Sequence, residues 1–217
     1  MSIRIATIQN VREAEAVIRQ HVSPAPLIRS HALENELSFP PTRRVWLKDY
    51  GWTPSGSFKL MGALNWMANN LEQIGSRPVA AHSSGNFASG IAFAGKQYGK
   101  RVIIVMPENA PAPKIAAVRG YGAEITFCQP TVQERERLLA SIQKKTGATY
   151  VPPYDHPSII SGQGTIGLEL LEQISDLEAV IAPVGGGGLL SGVATAIKAS
   201  NPNIRVYGAE PIGADDA

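Results

Sequence analysis

The chain has 217 residues, 44% of them hydrophobic and 18% charged, enough to bury a sizeable core as one large domain or two small ones. Its 20 Lys and Arg are scattered among 18 Asp and Glu for a formal net charge of +2, which excludes the basic face of a nucleic-acid binder and leaves a small molecule as the expected partner. No apolar run approaches membrane-spanning length, and MSIRIATIQNVREAE carries charges where a signal peptide needs its apolar segment, so a cytoplasmic protein without membrane contact is expected.

The spacing predicts a first helix over Ile8–Arg19, followed by the Pro-marked extended piece PAPLIR. Short apolar runs then recur as VWLK, VAAHS, RVIIVM, EITF, TYV, AVIAPV and IRVYGA, and most of them read as buried strands. Helical spacing fills Lys59–Asn69, Asn86–Tyr98, Pro113–Arg119, Thr131–Thr146, Gly164–Ile174 and Gly188–Ala199. Strand and helix alternating in this way predict an α/β protein with parallel sheets wrapped by helices. Ligands of such sheets bind past the carboxyl ends of the strands, so the residues of interest are those where a strand gives way to a helix. The single cysteine, Cys128 in EITFCQ, reads as a packed core thiol, since alone it forms neither an internal disulfide nor a metal cage.

Four places carry chemistry. In TPSGSFKLMGALN, Lys59 opens a helix whose positions Phe58, Met61, Leu64 and Met67 share one face, so this turn is expected to pack inward. A surface lysine is the ordinary alternative; a desolvated one has a lowered pKa and becomes a neutral amine able to attack a carbonyl. In VAAHSSGNFASG, Ser83, Ser84, Gly85 and Asn86 offer hydroxyls, an amide and free N–H groups to a small anion, or serve only as helix caps. In TVQERERLLASIQKKTG, Arg135 falls within the stripe Val132, Leu138, Leu139, Ile142; its partner is either a structural acid or the carboxylate of an amino-acid substrate. In AVIAPVGGGGLLSG, Gly185, Gly186, Gly187 and Gly188 let successive backbone N–H groups converge at a helix N-terminus, a cradle for phosphate. With Glu210 ending the next strand, a dinucleotide-binding module is the competing reading, although GGGGLLSG fits G-x-G-x-x-G poorly. Lysine, cradle and carboxylate pocket together suggest pyridoxal phosphate held as an imine.

These motifs, SGSFK, SSGN and PVGGGGLLSG in that order, with SGQGTIGLE at 161–169, resemble the pyridoxal-phosphate enzymes of the tryptophan-synthase-β fold type (fold type II), specifically the serine/threonine dehydratase and serine racemase group. The resemblance implies two parallel-sheet α/β domains: residues 1–57 with 157–217 as a large cofactor-binding domain, and 58–156 as a small one carrying the lysine and the asparagine loop. It implies Lys59 as the imine lysine, Phe58 beside the cofactor ring, Asn86 on the ring hydroxyl, and Gly185–Gly188 on the phosphate. Ser83, Ser84, Asn86 and Arg135 then contact the substrate, with Ser84 placed to exchange a proton on the face opposite Lys59. The stretch YGAEPIGADDA resembles a divalent-cation site, for Mg²⁺ or else Ca²⁺ or Mn²⁺, made by Glu210, the carbonyl of Ala214 and Asp216; oxygen donors suit such a hard ion.

The implied activity is dehydration and deamination of serine, threonine or 3-hydroxyaspartate to a 2-oxo acid and ammonia, with racemisation of serine or aspartate alongside, in a homodimer. Phe87, Met61 and Tyr154 depart from the group, which has histidine, often arginine and, in animal racemases, asparagine there. The chain is also shorter than the family's catalytic core, so an incomplete large domain, and an inert fragment as a further alternative, are expected.

Overall fold

The structure, a computed structural model, describes residues 5–215. In chain order these form α1 (Ile8–Ile18), β1 (Leu27–Arg29), α2 (His31–Glu36), β2 (Trp46–Lys48), a 3-10 turn Tyr50–Trp52, α3 (Lys59–Ile74), β3 (Val79–His82), α4 (Asn86–Gln97) and β4 (Val102–Pro107). There follow α5 (Ala112–Gly120), β5 (Glu124–Cys128), α6 (Val132–Thr146), β6 (Thr149–Tyr150), α7 (Pro157–Gln173), β7 (Ala179–Pro183), α8 (Gly188–Ser200), β8 (Arg205–Ala209) and a 3-10 turn Ile212–Ala214. The expected α/β alternation is thus present. No helix among the described residues is long and apolar enough to cross a membrane.

A four-stranded sheet has the order β5-β4-β3-β6, every pair parallel. Its central strand β4 is buried along its whole length, as its uninterrupted apolar run requires of a strand covered on both faces. The chain runs outward from β3 through β4 to β5 and then returns to lay β6 on the other side of β3. That reversal makes the carboxyl ends of β3 and β6 the switch point, where the connections part and leave a crevice. The loops Ser83–Gly85 and 151–156 begin at those two ends. Two smaller sheets, parallel β7-β8 and antiparallel β1-β2, complete the strands.

Two apolar runs expected to be buried strands, AVIAPV and IRVYGA, do form β7 and β8, but Ile181 and Tyr207 are exposed because α8 covers the pair on one side. Val132, expected on the inward stripe of α6, is exposed as well, while Leu139 is buried and Leu138 and Ile142 are partly so. Cys128 is buried, as its alternating neighbours predict, and burial pushes its thiol pKa up.

The sharpest departure from sequence expectation is α7, which begins at Pro157 rather than near Gly164. Pro157 sits in the first turn, where a missing N–H costs nothing, and the His156 ring accepts from Ser158 N–H at 3.1 Å. The glycines that look like breakers are the contact surface. A Cβ at Gly162 would stand 2.6 Å from the Met61 carbonyl oxygen and 2.7 Å from Gly62 Cα; one at Gly164 would meet Gly192 O at 3.0 Å, and one at Gly167 would meet Val193 O at 3.1 Å. Helix α7 therefore touches α3 on one side and α8 on the other at backbone distance. At its C-terminal half, Glu169 anchors the N-terminal strands: its Oε2 meets Lys48 Nζ at 2.6 Å and accepts from Tyr50 Oη at 2.9 Å and from Ala25 N–H at 3.0 Å.

Gly162→Ala should force α3 and α7 apart and destabilise the chain by about 1–3 kcal/mol, the usual cost of overpacking. Urea unfolding followed by circular dichroism checks this, with Gly120→Ala, where a Cβ meets open space, as the control.

Candidate active site

Lys59 is the first residue of α3. Its helix is gripped by α7 at Gly62 and Gly162, and by α4 at Gly90, where a Cβ would meet Lys59 O and Leu60 N at 3.3 Å. Met61, Leu64 and Met67 are fully buried, Phe58 and Lys59 half-buried, so the turn packs inward as its spacing predicts. The Lys59 ammonium donates to Pro153 O at 3.1 Å and lies 5.4 Å from the centre of the Phe58 ring and 6.0 Å from that of Tyr154. Among the described residues it forms no ion pair. Burial pushes its pKa below the ordinary lysine value, and the positive end of the α3 dipole acts in the same direction.

Tyr154 is a residue the sequence marks only as a departure, and the structure puts it at the centre. A Cβ at Gly186 would overlap its ring, and one at Gly188 would stand 2.7 Å from its carbonyl oxygen. The lysine and the glycine run thus face one another across a single aromatic residue. Gly187 has φ +76°, the left-handed region that favours glycine, and turns the chain into α8.

The Ser83–Asn86 loop follows β3. Ser83 N–H donates to Val105 O at 3.1 Å and its Oγ accepts from Gly85 N–H at 3.3 Å, so the first serine holds the turn. Ser84 and Asn86 are exposed, and Asn86 Oδ1 accepts from Lys114 Nζ at 2.5 Å. Arg135 is half-buried and donates only to Thr131 O, one turn earlier, at 3.4 Å; no acid pairs with it among the described residues. Its charge acts on His82, whose pKa burial and then that charge hold below the ordinary histidine value. The His82 ring stacks on Tyr150, centroids 5.9 Å apart.

Thr7, Ser30, Thr131 and His156 cap α1, α2, α6 and α7 with their side chains. Among the described residues, helices α3, α4 and α8, which begin at Lys59, Asn86 and Gly188, have no side-chain cap, and neither has α5, which follows Pro111. The N-termini of α3, α4 and α8, with unspent N–H donors and positive dipole ends, offer groups that can bind anions. The reading of SSGN as helix caps is therefore not borne out for α4. Ser57, two residues before Lys59, has a buried Oγ with no hydrogen-bond partner among the described residues. An orphaned hydroxyl, a side-chain-free cradle and a desolvated lysine fit an aldehyde carrying a phosphate.

Of the three cation ligands expected by resemblance, Glu210 is half-buried directly after β8, Ala214 closes the exposed 3-10 turn, and Asp216 lies outside the described residues. Among the described residues no three His, Cys, Asp or Glu side chains gather into a metal-binding group.

Residues 18–217 match the model of the pyridoxal-phosphate-dependent enzyme family, and the chain belongs to that family. It is 40% identical over 212 residues to the serine racemase of Oryza sativa subsp. indica, covering 98% of this chain and 61% of the relative. It is 37% identical over 212 residues to the L-threo-3-hydroxyaspartate ammonia-lyase of Saccharomyces cerevisiae, covering 98% and 64%. The structure of maize serine racemase superposes with a TM-score of 0.92 at 39% identity, over 98% of this chain and 64% of that one, which gives the fold as the type II fold of these enzymes. The chain spans about three fifths of the length of the curated relatives it matches.

Because the folded chain disfavours the Lys59 ammonium, stability rises with pH between its lowered pKa and the ordinary 10.5, where the unfolded chain still holds the proton. Below that window the burial cost is felt in full. Lys59→Met should therefore raise the melting temperature of the cofactor-free protein at neutral pH by roughly 2–4 °C, the effect of about 1 kcal/mol after screening of a half-buried charge. The gain should shrink as pH climbs through the window, which melting curves across pH will read.

Proposed function

We propose that this chain carries the lysine side of a pyridoxal-phosphate-dependent lyase that eliminates water from a small β-hydroxy amino acid, giving a 2-oxo acid and ammonia. Serine, threonine and 3-hydroxyaspartate are the candidate substrates, and racemisation of serine or aspartate is the companion activity. The observation that carries the reading is a half-buried lysine, without an acid partner among the described residues, facing a glycine-lined helix N-terminus across one aromatic ring. The names of the relatives support the substrate class.

When bound, the cofactor supplies an electron sink for a carbanion at the substrate α-carbon. The rest falls to side chains of this protein. Lys59, neutral once desolvated, takes the α-proton. The Ser83 turn and the free amides of α4 hold the substrate carboxylate, with Arg135 as a further cation; Asn86 meets the ring hydroxyl and Phe58 the ring. The N–H groups of Gly185–Gly188 and α8 bind the phosphate. Ser84, exposed in the loop after β3, is the group to deliver or remove a proton on the other face and so invert the centre. A divalent cation, Mg²⁺ or Ca²⁺ or Mn²⁺, belongs to the same reading, on Glu210, the Ala214 carbonyl and Asp216.

We also propose the division into residues 58–156 as the small domain and 1–57 with 157–217 as the large one; the four-stranded sheet falling wholly within 58–156 supports it. A cytoplasmic homodimer completes the proposal. The nucleotide-binding reading rests on the glycine run and Glu210 alone and leaves the desolvated lysine without a role. An inert fragment remains the outcome to test against, given the share of the relatives that the chain spans.

Pyridoxal phosphate added to the chain should give a near-visible absorbance band, and borohydride should then fix a label on Lys59; no band at saturating cofactor would sink the reading. If the chain turns over, Ser84→Ala should abolish racemisation and retain part of the ammonia release. Equal retention of both activities would remove Ser84 from that role.

A further inference from the structure

Lys114 stands on the first turn of α5, half-buried, 28 residues from Asn86 in the chain, and its ammonium bonds Asn86 Oδ1 at 2.5 Å. Among the described residues it makes no ion pair, so the carboxamide oxygen is the acceptor it has. An ammonium carries three donors and no acceptor, and of the two ends of a carboxamide it can bond only the oxygen. An unrestrained asparagine offers its donor or its acceptor with a half turn of χ2. This one has its oxygen held toward α5, leaving the NH2 to meet whatever enters. The neighbouring charge also polarises the amide, which strengthens its N–H groups as donors.

We propose that Lys114 is a positioning residue that acts through Asn86, fixing the carboxamide so that the start of α4 presents a polarised donor, backed by a positive charge, to an anionic oxygen of the ligand. The proposal rests on the reading above, in which that oxygen is the ring hydroxyl of the cofactor. It adds a group from α5 to a site otherwise made by the starts of α3, α4 and α8. The substitution to make is Lys114→Met, which keeps the stem and removes the donor, with Lys114→Ala in reserve should methionine impair folding and Lys114→Arg as the conservative rescue.

Two readouts decide it. In side-chain ¹⁵N–¹H spectra of the cofactor-free chain, Lys114→Met should move the Asn86 carboxamide signals and speed their exchange with water, and Lys114→Arg should leave them near the wild-type position. In titrations with pyridoxal phosphate followed by absorbance, Lys114→Met and Asn86→Ala should each raise Kd roughly fivefold, and the double variant no further, since two members of one unit are not additive. Unmoved Asn86 signals in Lys114→Met would overturn the pairing. Kd penalties that multiply in the double variant would overturn action through Asn86. A wild-type chain that binds no cofactor would defeat the proposed function, and the carboxamide spectra would still decide the pairing.

Discussion

The arrangement depends on how closely three helix backbones approach one another. Helix α7 meets α3 where Gly162 faces Gly62, and α8 where Gly164 and Gly167 face Gly192 and Val193, with main-chain atoms nearer than any side chain allows. A glycine inside a helix costs about 1 kcal/mol relative to alanine, so a run such as SGQGTIG is unfavourable as an isolated helix. Close packing offsets that cost and has a geometric consequence. The residues just before α7, Pro153 and Tyr154, are carried by the same rigid unit that fixes α3 and α8. Lys59 at the start of α3 and Gly186–Gly188 at the start of α8 thereby acquire fixed positions on either side of Tyr154. The distance between lysine and cradle is set by buried helix contacts, not by the loops that display them.

The second constraint is electrostatic. Lys59, Lys114 and Arg135 have no acid partner among the described residues, and the helices that begin at Lys59, Asn86 and Gly188 have uncapped N-termini. Other cations do meet acids, as Arg19 does Glu15 and Glu172, Arg101 does Glu124, and Lys48 does Glu169. Unpaired cations beside free helix N-termini are what a site for a doubly negative phosphate and a carboxylate requires. The lack of an acid partner also explains why Lys59 can lose its proton. Desolvation lowers its pKa, and among the described residues no carboxylate pulls the value back, as Glu169 does for Lys48.

The strand-to-helix alternation was legible because apolar runs and amphipathic spacing are local properties, and the three motifs were legible because each is a contiguous stretch at such a junction. Lys59, Asn86 and Gly188 were each expected to open a helix, and each does. The start of α7 was hidden because glycine and proline are read as breakers, whereas here proline occupies the one turn that tolerates it and glycine serves a partner that the sequence does not display. Helix α2, six residues with a serine cap, is too short to show a period. The exposure of Ile181 and Tyr207 was hidden for another reason: a strand's own pattern does not say how many layers cover it. Lys114 and Pro153 carry no sequence signal at all, since their relevance comes only from lying beside Asn86 and Lys59 in space.

Tyr154 joins these themes. It stands in the connection after β6, at the switch point of the four-stranded sheet, and so is delivered to the crevice by topology. Its carbonyl supports the start of α8, where Gly188 has no room for a side chain, and that main-chain contact fixes the residue. Its ring lies against Gly186, with Lys59 Nζ 6.0 Å from its centre, and the residue is still 42% exposed. An asparagine there would offer a small polar plane and leave more of the space above the glycine run open. A tyrosine fills that space with a flat apolar surface and adds a phenol at its far end, which makes the floor of the crevice an aromatic ring rather than an amide. The glycine at 186 is then required twice: to expose backbone N–H groups, and to let the ring at 154 lie flat.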